Sequence, residues 1–146
     1  LGNQGFGGGT YNHAWSGGPL TMLSQYAAGV APITPGFKTF AVTPQMGPLR
    51  EIDTTVPTPA GVISLNLRQD QALFLMQVTV PKGTTAMVSI PRMDEDFKSI
   101  RINDALCYEN GKPTFRVGGP KFENADPDAG RVQFKLSAGR WMIVAE

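Results

Sequence analysis

The residues best equipped for chemistry lie near the start of the chain, in Tyr11-Asn12-His13-Ala14-Trp15-Ser16-Gly17-Gly18-Pro19-Leu20. This stretch holds the only histidine and one of the two tryptophans. Five of the ten residues before it are glycine, so the lead-in reads as a loop, and a helix is expected directly afterwards. His13 and Trp15 would then sit on a loop anchored by a rigid element, where binding and catalytic groups tend to be found. Each also has a plain structural role open to it. His13 could be a packed, hydrogen-bonded side chain, and Trp15 either a sugar-stacking platform or a plug between helix and sheet.

Other candidate constellations are weaker. Glu123, Asp126 and Asp128 form a carboxylate cluster in an expected polar loop, but lack the Gly and terminal Glu of a helix-loop-helix calcium site. Asp94-Glu95-Asp96 reads as a solvated acidic turn. A glycosidase needs two facing carboxyl groups, and no pair here can be assigned that work. Gly7-Gly8-Gly9-Thr10 lacks the Gly-Lys-Ser/Thr ending of a phosphate loop. Cys107 lies in a strand pattern with no nearby base, as a small core residue would. No metal site and no cofactor are called for.

The elements that must position these residues follow from periodicity. Pro19 suits a first helical position, with Ser16 or Gly17 at the cap. Leu20, Leu23, Ala27 and Val30 recur at helical spacing, and Met22 and Tyr26 widen the stripe. Gly29 is the expected stop, and Pro32 prevents continuation. From Ile33 onward short alternating segments separated by Pro and Gly predict strands. The expected spans are 37–43, 49–56, 61–68, 72–80, 84–90, 99–102, 105–109, 114–117, a strand through Val132, Phe134 and Leu136, and 141–145. Turns are expected at 69–71, Pro81-Lys82-Gly83, Asn103-Asp104, Asn110-Gly111 and Ser137-Ala138-Gly139-Arg140, with a long polar loop over 118–130. This spacing of strands and turns predicts a mainly β chain, an antiparallel β-sandwich or jelly roll, preceded by a loop and one α-helix.

The totals bound the partners. At 146 residues with 41% hydrophobic, the chain can build one domain with its own core. A formal charge of +1 leaves no electrostatic footprint for nucleic acid or an acidic membrane surface. A single cysteine excludes an internal disulfide, and the apolar runs are too short to span a bilayer. Bacterial cytoplasm, periplasm and exterior all stay open as compartments. Because it begins with Leu in mid-loop, the chain is expected to be a piece of something longer.

The run Tyr-Asn-His-Ala-Trp-Ser-Gly-Gly-Pro, a helix ending near Gly29-Val30, and the following Pro-x-x-Pro-Gly-Phe-Lys-x-Phe resemble the end of a bacterial alpha-L-rhamnosidase of glycoside hydrolase family 78. Val56-Pro57-Thr58-Pro59-Ala60-Gly61 resembles the turn between early strands of that family's C-terminal domain, and Val80-Pro81-Lys82-Gly83-Thr84-Thr85-Ala86 its strand-turn-strand. The likeness extends to about Pro91. It implies that residues 1–31 are the last loop and helix of a catalytic (α/α)6 barrel, and that 32–146 are a C-terminal β-sandwich. It further implies inverting hydrolysis of α-L-rhamnosides, with both catalytic carboxylates ahead of Leu1. By the same resemblance His13 contacts rhamnose, for which a neutral imidazole that both donates and accepts is suited, and Trp15 is a less secure neighbour. The implied partners are a rhamnose-containing glycan and the remainder of the barrel. The rival reading is an autonomous carbohydrate-binding or structural sandwich module. It would need an exposed aromatic face, whereas Phe74 and Phe134 fall on expected core faces.

Overall fold

A computed structural model describes residues 18–91, 98–114, 120–126 and 130–146. The described chain opens with a short α-helix, α1 (Gly18–Met22), which loosens into a π-turn over Leu23–Ala27. Its final amide, that of Ala28, donates to the Leu23 carbonyl five residues back, over 3.0 Å. Gly29 at φ 73° then ends the helix, as its sequence position predicts. Val30 is not the last residue of the helical stripe: it begins β1 (Val30–Pro32). After a 3-10 turn at Pro35–Phe37 comes β2 (Thr39–Val42), antiparallel to β1.

Next are the hairpin strands β3 (Glu51–Thr58) and β4 (Gly61–Gln69), joined by the turn Thr58-Pro59-Ala60-Gly61. The Thr58 hydroxyl donates to the Gly61 carbonyl over 2.6 Å and accepts from the Ala60 amide at 3.3 Å, closing that turn. β3 runs through Pro57, which the sequence reading took as its end. The strand lies at the sheet edge, where a missing N–H interrupts no inner ladder.

Two of the expected hairpins are absent. β5 (Phe74–Pro91) is one long strand through Pro81-Lys82-Gly83, and β10 (Arg131–Ala145) is one strand through Ser137-Ala138-Gly139. The two pair antiparallel along nearly their whole length, with a register break where Ser137 opposes Thr85 and Gly139 opposes Val80. The residues read as reversals instead bend the paired strands side by side. Gly83 takes φ 78°, and the Thr84 hydroxyl donates to the Pro81 carbonyl over 2.7 Å. Strands that bend in this way can serve two layers.

The pairing follows the bend. The first half of β5 pairs with β4, and the second half of β10 with β6 (Ser99–Ile102). Beyond the bend β5 pairs in parallel with β2, while β10 pairs antiparallel with β9 (Lys121–Asp126). β7 (Ala105–Glu109) and β8 (Lys112–Pro113) extend the first layer. The result is the expected mainly antiparallel β-sandwich. Its turns at Asn103-Asp104 and Asn110-Gly111 all carry positive φ, as two-residue hairpins of this composition require.

The interior is filled by alternate residues of the long strands. Ile63, Leu65 and Leu67 of β4, Phe74, Met76 and Val78 of β5, and Phe134, Leu136 and Ile143 of β10 are all buried. Phe40 and Val42 close the core from β2, and Cys107 is buried within it. One further expectation fails: the supposed loop over 118–130 contains β9. Pairing with β10 supplies its ladder, so strand formation there needs no apolar alternation of its own.

Candidate functional site

His13 and Trp15, with Ser16 and Gly17, lie outside the described residues, as do Asp94-Glu95-Asp96 and Asp128. What the structure does show is the support that follows the motif. The helix leaves the sandwich at Ala28-Gly29-Val30, where Ala28 and Val30 are both 1% exposed. The Ala27 carbonyl accepts from the Gln45 amide at 3.1 Å, and the Gly29 carbonyl from the Thr43 amide at 2.9 Å. A Cβ on Gly29 would stand 2.1 Å from the Thr43 carbonyl carbon, so the joint closes only because glycine has none.

Above that joint the expected apolar stripe is present but uncovered. Leu20, Met22, Leu23 and Tyr26 are between 54% and 72% exposed, and no helical residue from Gly18 to Ala27 is buried. Pro19, Met22, Leu23, Tyr26 and Gln45 border an open apolar hollow of about 510 Å³. A helix whose apolar face meets only water has not found its packing partner within the described residues.

Arg131, at the start of β10, reaches the same joint. Its Nη2 donates to the Pro44 carbonyl over 3.0 Å, while Nη1 is buried without a partner among the described residues. Burial lowers the guanidinium pKa below its ordinary value.

Glu123 and Asp126 are carried by β9 and not by a loop, which corrects the basis for a calcium site there. Among the described residues no group of three or more metal-ligating side chains comes together.

Sequence reasoning missed a second concavity. On the outer face of the layer formed by β3, β4, the first half of β5 and the second half of β10 lies a trough of about 490 Å³. Asp53, Ser64, Asn66, Gln77, Thr79 and Arg140 line it. Ser64 and Asn66 were legible only as the wet side of their own strand, and Arg140 was read as part of a turn. Their convergence depends on register.

The fold is a mainly antiparallel β-sandwich led by a short helix whose apolar face is exposed. A family model described as the bacterial alpha-L-rhamnosidase C-terminal domain matches residues 29–103, just over half of the chain. The chain belongs to that family. It is 28% identical over 102 residues to an alpha-L-rhamnosidase of Formosa agariphila, an alignment covering 69% of this chain and 11% of that protein. Among solved structures, an alpha-L-rhamnosidase from Dictyoglumus thermophilum matches with a TM-score of 0.75 at 21% identity, covering 92% of this chain and 14% of that one. A Streptomyces avermitilis alpha-L-rhamnosidase complexed with L-rhamnose matches with a TM-score of 0.67 at 22% identity, covering 85% and 10%. These structural likenesses bear on the fold. The chain spans only 10% to 14% of the length of these proteins.

Proposed function

We propose that this chain is the closing segment of a larger glycoside hydrolase that removes terminal α-L-rhamnose from glycans or glycosides by inversion, and that it braces the catalytic barrel. The uncovered face of Leu20, Met22, Leu23 and Tyr26, fixed to the sandwich through Gly29, supports this most directly. Covering one such side chain stabilises by about 1.5–3 kcal/mol, so a neighbouring helical domain seated there would be held firmly. The short share of its relative that the chain spans leaves ample length for such a domain.

In an inverting hydrolase one carboxylic acid protonates the leaving oxygen, while a carboxylate activates water on the opposite face of the sugar. We assign both groups to the barrel ahead of this chain and none to the chain itself. His13 is the residue we assign to the sugar. Its imidazole would donate to one rhamnose hydroxyl or accept from another, and Trp15 would lie alongside. The carboxylates being elsewhere, the chain alone is inactive.

An aryl α-L-rhamnoside assay tests this. The chain alone should release no phenol, the polypeptide extended through its catalytic domain should, and His13→Ala in that longer protein should remove most of the activity. Undiminished activity in the His13→Ala enzyme would dismiss the role given to the imidazole.

A further inference from the structure

We infer that the trough on the outer face of the β3, β4, β5 and β10 layer binds a neutral, polyhydroxylated ligand, a sugar unit of a glycan, at a place separate from the His13 motif. The pairing register builds it. Asp53 lies opposite Asn66, Asn66 opposite Gln77, and Gln77 opposite Met142. One step along the strands, Ser64 lies opposite Thr79 and Thr79 opposite Arg140. Ser64, Asn66 and Thr79 are half-buried at the floor, and Asp53, Gln77 and Arg140 stand exposed around them.

The chemistry of this lining selects the ligand class. Beside Asn103, Trp141 and Met142, it comprises one carboxylate, two carboxamides, two hydroxyls and one guanidinium. Carboxamides and hydroxyls each offer donors and acceptors, the same dual capacity that a sugar hydroxyl has. The charges of Asp53 and Arg140 cancel, which gives no basis for an anion or nucleic acid, and one carboxylate is too few for a hard cation. Neighbouring strands lie about 4.8 Å apart, so side chains from adjacent strands can hold different hydroxyls of one pyranose.

These side chains are also uncommitted. None of the six makes a side-chain hydrogen bond to another described residue, whereas on the other layer Gln133 donates to the Ser89 hydroxyl and Arg131 to Pro44. The trough wall is nevertheless set in advance. The Asn103 side chain accepts from the Met142 amide at 2.8 Å and donates to the Arg140 carbonyl over 3.4 Å, fixing the β10 backbone at the rim. Preset walls reduce the ordering cost of binding. The one aromatic ring among the described lining residues, Trp141, is half-buried with its indole N–H committed to the Ser137 carbonyl, so affinity should be weak, in the millimolar range.

The test is a two-dimensional NMR titration of the isotope-labelled chain with L-rhamnose and, separately, D-galactose. Saturable shifts should centre on the Asn66 and Gln77 side-chain amides and the neighbouring backbone. Asn66→Ala and Gln77→Ala should each weaken them about ten-fold while the spectrum stays dispersed. Gln77 is solvent-exposed, so its variant stays informative even should Asn66→Ala perturb folding. Absence of saturable shifts with both sugars, or titrations of both variants identical to that of the unsubstituted chain, would overturn the assignment. So would binding by the chain that vanishes in the longer polypeptide, since a protein domain would then be the occupant. Aryl-rhamnoside hydrolysis should be unchanged by Asn66→Ala, which separates failure of this site from failure of the proposed enzymatic role.

Discussion

The Thr43 amide donates to the Gly29 carbonyl over 2.9 Å, while the Thr43 carbonyl carbon occupies the space where any side chain on Gly29 would begin. One contact therefore sets both the direction of the helix and the identity of the residue that ends it. Gly29 combines φ 73° with backbone contact, whereas Gly36 has φ 68° and open space around it.

Gly29→Ala is expected to destabilise the chain by roughly 2–5 kcal/mol, combining a left-handed backbone with a forced shift of the Thr43 strand end. In a chain of this size that lowers Tm by about 5 °C or more. Gly36→Asn should cost less than about 1 kcal/mol, since Asn accepts this conformation and nothing crowds it. Thermal melts compare the two directly. Equal losses would contradict the part given to Thr43.

Phe40 is fully buried on β2, beside the parallel pairing with β5, and its ring lies 6.3 Å from that of Phe37. Phe40→Ala should lower stability by about 3–5 kcal/mol by leaving a cavity. Val62→Ala, at an exposed position, should stay within about 0.5 kcal/mol. Denaturant titrations report both values, and a small loss at Phe40 would mean that β2 is not part of the core.

The Trp141 indole N–H donates to the Ser137 carbonyl over 2.8 Å, spanning the bend of β10. Trp141→Phe keeps most of the apolar bulk and removes this donor, so about 1 kcal/mol should be lost. Amide exchange should quicken around Ser137 and Thr85 while the ends of β10 stay protected. Uniform protection would indicate that the bend holds itself.

Arg131 has a folded pKa depressed by burial. Below that value the folded and unfolded states both keep the proton, so the burial cost is constant. Stability gains only as pH rises through the folded value toward the ordinary guanidinium value, where the unfolded chain holds a proton that the folded one has released. Arg131→Met should accordingly shift stability by a constant amount through the acid and neutral range. The loss should be about 1 kcal/mol or less, because the lost bond to Pro44 is offset by relief of the buried Nη1. Melts at several pH values check this, and a gap that widens across the neutral range would contradict it.

Much of the fold was legible because period-two alternation survives in single strands. Ile63, Leu65 and Leu67, or Val132, Phe134 and Leu136, need only their own segment to declare a buried face. Pro81-Lys82-Gly83 and Ser137-Ala138-Gly139 misled because a reversal and a bend use the same turn-forming residues. Only the cross-strand pairing of Ser137 with Thr85 tells them apart. β9 was hidden because its ladder is lent by β10. The helix was visible in Leu20, Leu23 and Ala27, but amphipathic spacing states that a face needs a partner without naming it. The trough could not be read at all, since Asp53, Asn66 and Gln77 come from three strands and meet only through register.

Hydrogen exchange over Leu20 to Ala27 is the most direct test of the claim that this helix is a docking element for a catalytic domain. The account predicts fast exchange there in the chain alone, where the apolar face meets water, and strong protection in the longer polypeptide with its catalytic domain present. Equal exchange rates in the two would contradict it.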